Sequence, residues 1–211
     1  MRRAAAPSSA SVTIRAYNPE TDALAIHALL TDAFDTPAEA DLMAAVLADA
    51  VSDDDDNNDQ RTGTNYSLQC YAAVATSATD TVIGTVLFSP VTITAADGSV
   101  VAVAWGLGPI AVAESARGCG VGQRLAFAWK DAPDAAGVPA IVVLGARAYY
   151  HDKLGYDTAP DWGLRFSSVE LDEHFFILPL DADALAAAGL VRGASPAGSF
   201  AASYHPAFDA V

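Results

Sequence analysis

The chain has 211 residues, 52% of them hydrophobic, and 26 acidic against 11 basic side chains give it a formal charge of −15. That length suffices to bury a sizeable core in one folded domain, and a negative field of this size excludes nucleic acid as an expected partner while suiting a cationic one. No run approaches the roughly 20 uncharged apolar residues of a membrane-spanning helix, so no membrane partner is expected.

Residues 1–11 begin with Arg2 and Arg3, but no apolar stretch follows. They read as a disordered tail rather than a signal peptide, with a single domain running 12–211. Of the acids 21 are Asp, and only two of the bases are Lys. Adaptation to high salt or a GC-rich genome would each account for that bias. Cys70 and Cys119 are too few for a disulfide framework and lack metal-ligand spacing, so no metal is expected and a reducing cytoplasm fits.

In chain order, Val12-Thr13-Ile14-Arg15 alternates like an outer strand, and Asn18-Pro19-Glu20-Thr21-Asp22 supplies turn and cap residues. A helix from Ala23 to Phe34 places Leu24, His27, Leu30 and Phe34 at helical spacing, and Pro37-Ala38-Glu39 opens a second carrying Leu42, Val46 and Leu47. The stretch 52–65, with Asp53-Asp54-Asp55-Asp56, reads as a solvated acidic loop. Tyr66 to Ala75 and Val82 to Ile93 form an expected antiparallel hairpin, followed after Ala95-Ala96-Asp97-Gly98 by a strand from Val100 to Val112. Gly106, Gly108 and Pro109 inside that strand predict a bulge or a backbone kept open for a ligand. A helix is expected from Gly122 to Ala136, then a buried strand from Ala140 to Leu144 suited to parallel pairing, then a helix from about Arg147 to Lys153 ending at Gly155. The fold class is α/β: a mixed, mostly antiparallel sheet of six or seven strands with helices on both faces.

The informative constellation is a strand, a short turn at Glu114-Ser115, and Arg117-Gly118-Cys119-Gly120-Val121-Gly122 opening a helix. Glycine admits positive φ and close approach of a ligand, and unpaired N–H groups at a helix start favour an anion such as a pyrophosphate. The P-loop ending Gly-Lys-Ser/Thr is absent, and the spacing is not the dinucleotide G-x-G-x-x-G.

The pattern Arg117-x-x-Gly120-x-Gly122, preceded by Leu107-Gly108-Pro109-Ile110-Ala111-Val112, resembles the acetyl-coenzyme A motif of the GNAT superfamily of N-acyltransferases. Phe34-x-x-Pro37-Ala38-Glu39-Ala40, Val86-Leu87-Phe88-Ser89-Pro90-Val91, the segment from Tyr149-Tyr150 to Gly155-Tyr156, and Pro206-Ala207-Phe208-Asp209 are similar to a bacterial branch of that superfamily. The resemblance covers nearly the whole chain from Val12. It implies acetyl-CoA, or another acyl-CoA, as co-substrate and a primary amine of a small molecule or protein as acceptor. Backbone around Ile110, Ala111 and Val112 would then pair with the pantetheine arm, and Arg117, Gly118, Cys119, Gly120, Val121 and Gly122 would hold the pyrophosphate. It further implies a proton donor for the leaving thiolate. Tyr150 is the first candidate, and the family's register counted back from Gly155 falls on His151.

Other residues carry competing readings. Glu114 is a candidate base or a solvated carboxylate near a helix start. His27 is a packed or partly exposed histidine before it is a catalyst, and Cys119 is a reactive thiol or simply part of the turn. Trp105 and Phe88 either wall an acceptor pocket or fill the core, and His174, Phe175 and Phe176 are read in the same way. At the level of the whole protein, the alternative to an enzyme is a non-catalytic acyl-CoA sensor. A homodimer is the default oligomer.

Overall fold

A computed structural model describes residues 12–52, 70–133 and 135–210. The expected tail 1–11, and all but Ser52 of the expected loop 52–65, lie outside them. Strand β1 (Thr13–Ala16) leads into helix α1 (Pro19–Phe34). The Asn18 side chain caps that helix by accepting from the Glu20 N–H, and Pro19 occupies the first turn, where no donor is needed. Helix α2 (Ala38–Ser52) precedes β2 (Tyr71–Thr76), β3 (Val82–Ala95) and β4 (Val100–Val112), which form an antiparallel meander with β1 at its edge.

Helix α3 (Val121–Ala126) is much shorter than the predicted Gly122 to Ala136. The chain continues in single 3-10 turns at Ala128–Asp131 and Ala135–Gly137. Pro133 bars a continuous helix to Ala136, because Ala132 before it sits at φ −75°, ψ 140°, the extended conformation that a following proline imposes, but α3 has already ended at Ala126. Strand β5 (Ala140–Leu144) has the predicted boundaries and pairs with β4 in parallel, as its apolar run implied. Helix α4 (Arg147–Tyr150) is followed by the short strands β6 (Asp157–Thr158) and β7 (Leu164–Arg165), then β8 (Phe175–Pro179), helix α5 (Ala182–Ala187) and β9 (Phe200–Ser203).

These strands make a nine-stranded sheet. Seven follow the path β1-β2-β3-β4-β5-β8-β6, and β9 attaches β7 beside β3. The count exceeds the expected six or seven because β6, β7 and β9 are too short to leave a periodic signature.

Alternation along the central strands sorts the helices to opposite faces. Ala72, Val74, Leu87 and Ala111 pack with α1 and α2, while Ala73, Val86 and Phe88 pack with Leu125 of α3 and with Tyr150. The face that α1 buries shares only Leu30 with the predicted one. Ile26, Leu29 and Leu30 point inward, whereas Leu24 is 88% exposed and His27 lies at the surface.

Candidate active site

The site arises where β4 and β5 part. Their parallel pairing is confined to Trp105 with Ile141 and Gly106 with Val142, yet β4 runs on to Val112. On the other side of β4, the register to β3 shifts between Val86 and Phe88, which face Ile110 and Leu107, so β4 carries an extra residue at Gly108-Pro109. This is the bulge that the glycine and proline predicted. The β4 edge beyond Gly106 therefore has no strand partner on the β5 side. Two cavities open along that gap.

The first, of about 350 Å³, is lined by residues 110–112 and by the glycine turn. Gly118 and Gly120 both adopt φ 79°, a left-handed conformation that disfavours any side chain. At Gly122 a β-carbon would stand 2.7 Å from the Tyr149 hydroxyl oxygen, so glycine there permits close approach to α4. The Arg117 side chain reaches back to donate from Nε to the Val112 carbonyl at 3.0 Å, tying the turn to the end of β4. Lys153 also lines this cavity, with its ammonium 5.6 Å from the Tyr149 ring centroid. Two cations thus face one cavity of a chain with a formal charge of −15. Of the predicted turn residues, Cys119 alone does not line it. It is half-buried, packs toward the core and directs its Sγ to the Arg117 carbonyl at 3.7 Å.

The second cavity, of about 440 Å³, adjoins the first and shares Ile110, Ala146 and Tyr150 with it. The Tyr150 ring stacks against Phe176 and meets Tyr149 and Tyr156 edge-on. Burial pushes its phenol well above the usual tyrosine range, and Tyr149 adds to the shift, so Tyr150 keeps its proton at neutral pH. Tyr204, which also lines this cavity, is raised in the same way by burial and by Tyr150 and Tyr156. His151 follows the last residue of α4, with its ring 6.4 Å from that of Phe176, and it lines neither cavity.

Glu114 is exposed and borders neither cavity. His27 is at the surface, with Nε2 3.3 Å from an Asp41 oxygen. Phe88, Trp105, Phe175 and Phe176 are core side chains, whereas His174 is exposed. No disulfide joins Cys70 to Cys119. Among the described residues, no group of three or more His, Cys, Asp or Glu side chains is placed to hold a metal ion, and no helix is long and apolar enough to cross a membrane.

Sequence reasoning gave no role to Lys153, Glu39, Phe166 or Tyr204, all of which line the cavities. Glu39 and Lys153 lay within segments that carried the family resemblance. Phe166 and Tyr204 left no local signal, since only the β7–β9 pairing brings their part of the chain to the site.

No family model matches the chain. It is 33% identical over 165 residues to the uncharacterized N-acetyltransferase YhbS of Escherichia coli strain K12, an alignment covering 78% of this chain and 85% of that protein. The crystal structure of E. coli YhbS, a GNAT family N-acetyltransferase in complex with CoA, superposes with a TM-score of 0.67 at 29% identity, covering 94% of this chain and 92% of that one. A GNAT family acetyltransferase from Brucella melitensis in complex with acetyl-CoA shares the fold, with a TM-score of 0.58 at 22% identity over 94% of this chain and 98% of that one. The chain belongs to the GNAT superfamily and is an acyl-CoA-dependent N-acyltransferase.

Proposed function

We propose that the cavity beside the glycine turn receives acetyl-CoA and that the second cavity receives a primary amine, small molecule or protein side chain, to which the acetyl group passes. The observation that carries this reading is the junction: Ile110, Ala146 and Tyr150 border both cavities. A donor and an acceptor held one on each side would meet there, and such juxtaposition lowers the barrier by removing the entropy of encounter.

The residues present fit the donor. Arg117, Lys153 and the backbone of residues 118–122 offer positive charge and close approach to a pyrophosphate, and the unpaired edge of β4 offers backbone groups to the amides of a pantetheine arm. Acetyl-CoA supplies the activated thioester carbonyl. Tyr150, protonated and at the junction, is the side chain to hand a proton to the thiolate as the C–S bond breaks, and the proton that the amine sheds on forming the amide bond restores the phenol. His151 lines neither cavity, which favours Tyr150 between the two candidates.

Calorimetric titration with CoA, together with thiol release from acetyl-CoA over a panel of amines, tests the proposal. Saturable CoA binding with amine-dependent release is the expected result. Tight binding without release on any amine would instead support a sensor of acyl-CoA.

A further inference from the structure

The acceptor cavity has a distinct chemistry. Apart from Glu39, no described residue lining it is charged, and its wall includes the large apolar side chains of Phe34, Leu42, Leu107, Leu144, Phe166 and Phe208. Phe34 and Leu144 are, moreover, two of the five large hydrophobic side chains that the described chain leaves exposed, at 39% and 40%. Exposed apolar side chains gathered around one concavity, rather than scattered, mark a binding surface. The volume of about 440 Å³ lies in the range of small-molecule pockets, about 300–1,000 Å³.

Glu39 stands in the first turn of α2, half-buried, with Oε2 accepting from the Thr36 hydroxyl at 3.2 Å. A single carboxylate in an apolar wall complements a cation and repels an anion. Resting on the transferase reading above, we infer that the acceptor is a small amphipathic amine, with an aryl or alkyl body and no carboxylate, whose apolar part fills this cavity and whose positive charge is drawn in by Glu39. Amino acids and purely hydrophilic amines are disfavoured, the former by their carboxylate and the latter for want of an apolar body.

The test uses the full chain and four probes: 2-phenylethylamine, hexylamine, ethanolamine and phenylalanine. Thiol release from acetyl-CoA should give kcat/KM at least tenfold higher for the first two than for ethanolamine, the size expected from burying one apolar side chain's worth of surface, and higher than for phenylalanine, whose carboxylate Glu39 repels. Glu39→Gln should raise KM for 2-phenylethylamine about tenfold, leaving kcat and the KM for acetyl-CoA within about twofold, since a charge-assisted contact to the acceptor alone is lost. Leu144→Asn, at a partly exposed position, should narrow the preference for the apolar amines. Direct binding of 2-phenylethylamine to wild type and Glu39→Gln, followed by calorimetry, provides a readout independent of turnover. Ethanolamine or phenylalanine performing as well as 2-phenylethylamine, or binding that ignores Glu39→Gln, overturns the inference. Amine binding weakened by Glu39→Gln but without thiol release would overturn the transferase reading, and with it the acceptor role, while leaving the cavity's selection of amphipathic amines intact.

Discussion

A β-carbon on Gly145 would overlap the ring of Tyr150 at Cε2. Gly145 follows the last residue of β5, and Tyr150 ends α4, so the turn between them folds the phenol back over its own entry. Glycine at 145 is thus a steric condition for Tyr150 to stand between the two cavities.

Gly145→Ala should therefore act through Tyr150. Tyr150→Phe is expected to lower kcat about 100-fold or more, the range for a lost general acid, and Gly145→Ala at least tenfold by displacing the ring. Because both changes strike one group, the double variant should be no worse than Tyr150→Phe alone. Steady-state kinetics on the four proteins decide it: losses that multiply would mean that Gly145 serves catalysis by another route.

The pH dependence follows from the direction of the Tyr150 shift. Burial disfavours the phenolate, so the folded protein holds the proton above the ordinary value of about 10. Ionisation of Tyr150 should then impose no alkaline loss of kcat below about pH 10. Profiles of wild type and Tyr150→Phe should keep a constant ratio from neutral pH up to that limit. A ratio that collapses near pH 8 would show that Tyr150 ionises early and is not the proton donor.

Much of this site was legible in the sequence because its parts are local. The Val100 to Val112 strand with its Gly108-Pro109 bulge, the turn at 117–122 and strand Ala140–Leu144 each announce themselves within a dozen residues, and they fall as expected. Where side chains compete for a face, the reading was poorer. Alanine-rich α1 offers two apolar stripes that meet at Leu30, and Leu24 and His27 lie off the buried one, on which Ile26, Leu29 and Leu30 face the sheet. The second cavity was the least legible part. It draws Phe34 and Glu39 from the start of the chain, Leu107 from β4, and Phe166, Tyr204 and Phe208 from the far end, so only tertiary structure assembles it.

The first two elements are joined by a clamp whose contribution to stability depends on acid. Arg15 Nη1 donates to Asp22 Oδ2 at 2.6 Å and Nη2 to Oδ1 at 2.8 Å, while the Asn18 N–H donates to Oδ2 at 2.8 Å. The Arg15 bonds, against the opposing effect of burial, hold the Asp22 carboxyl at about 2, below its ordinary 3.8. A depressed carboxyl stabilises the fold above the unfolded value and loses that contribution as pH falls through the folded one, so about 2 kcal/mol should be present at pH 6 and be lost between about pH 4 and 2. Asp22→Asn should lower stability at pH 6 by a similar amount, and the gap to wild type should close on acidification. Urea melts of both proteins at pH 6 and pH 3 are the measurement, and an undiminished gap at pH 3 would refute the linkage.

The glycine turn allows donor recognition to be separated from folding. At Gly120 the backbone is left-handed, φ 79°, but an added β-carbon would meet no atom within 4 Å. Gly120→Glu should therefore fold, at a conformational cost of about 1–2 kcal/mol. Its carboxylate would stand in the cavity where Arg117 and Lys153 face the proposed pyrophosphate, and like charges in a partly desolvated site repel strongly. The KM for acetyl-CoA should rise at least tenfold. S-acetylpantetheine, which carries the thioester but no phosphate, should be used by wild type and variant with nearly equal kcat/KM. That contrast distinguishes a phosphate site from general damage, because a distorted turn would impair both donors alike. If S-acetylpantetheine suffers as much as acetyl-CoA, the pyrophosphate does not bind at Gly120 and the turn serves only to shape the end of β4.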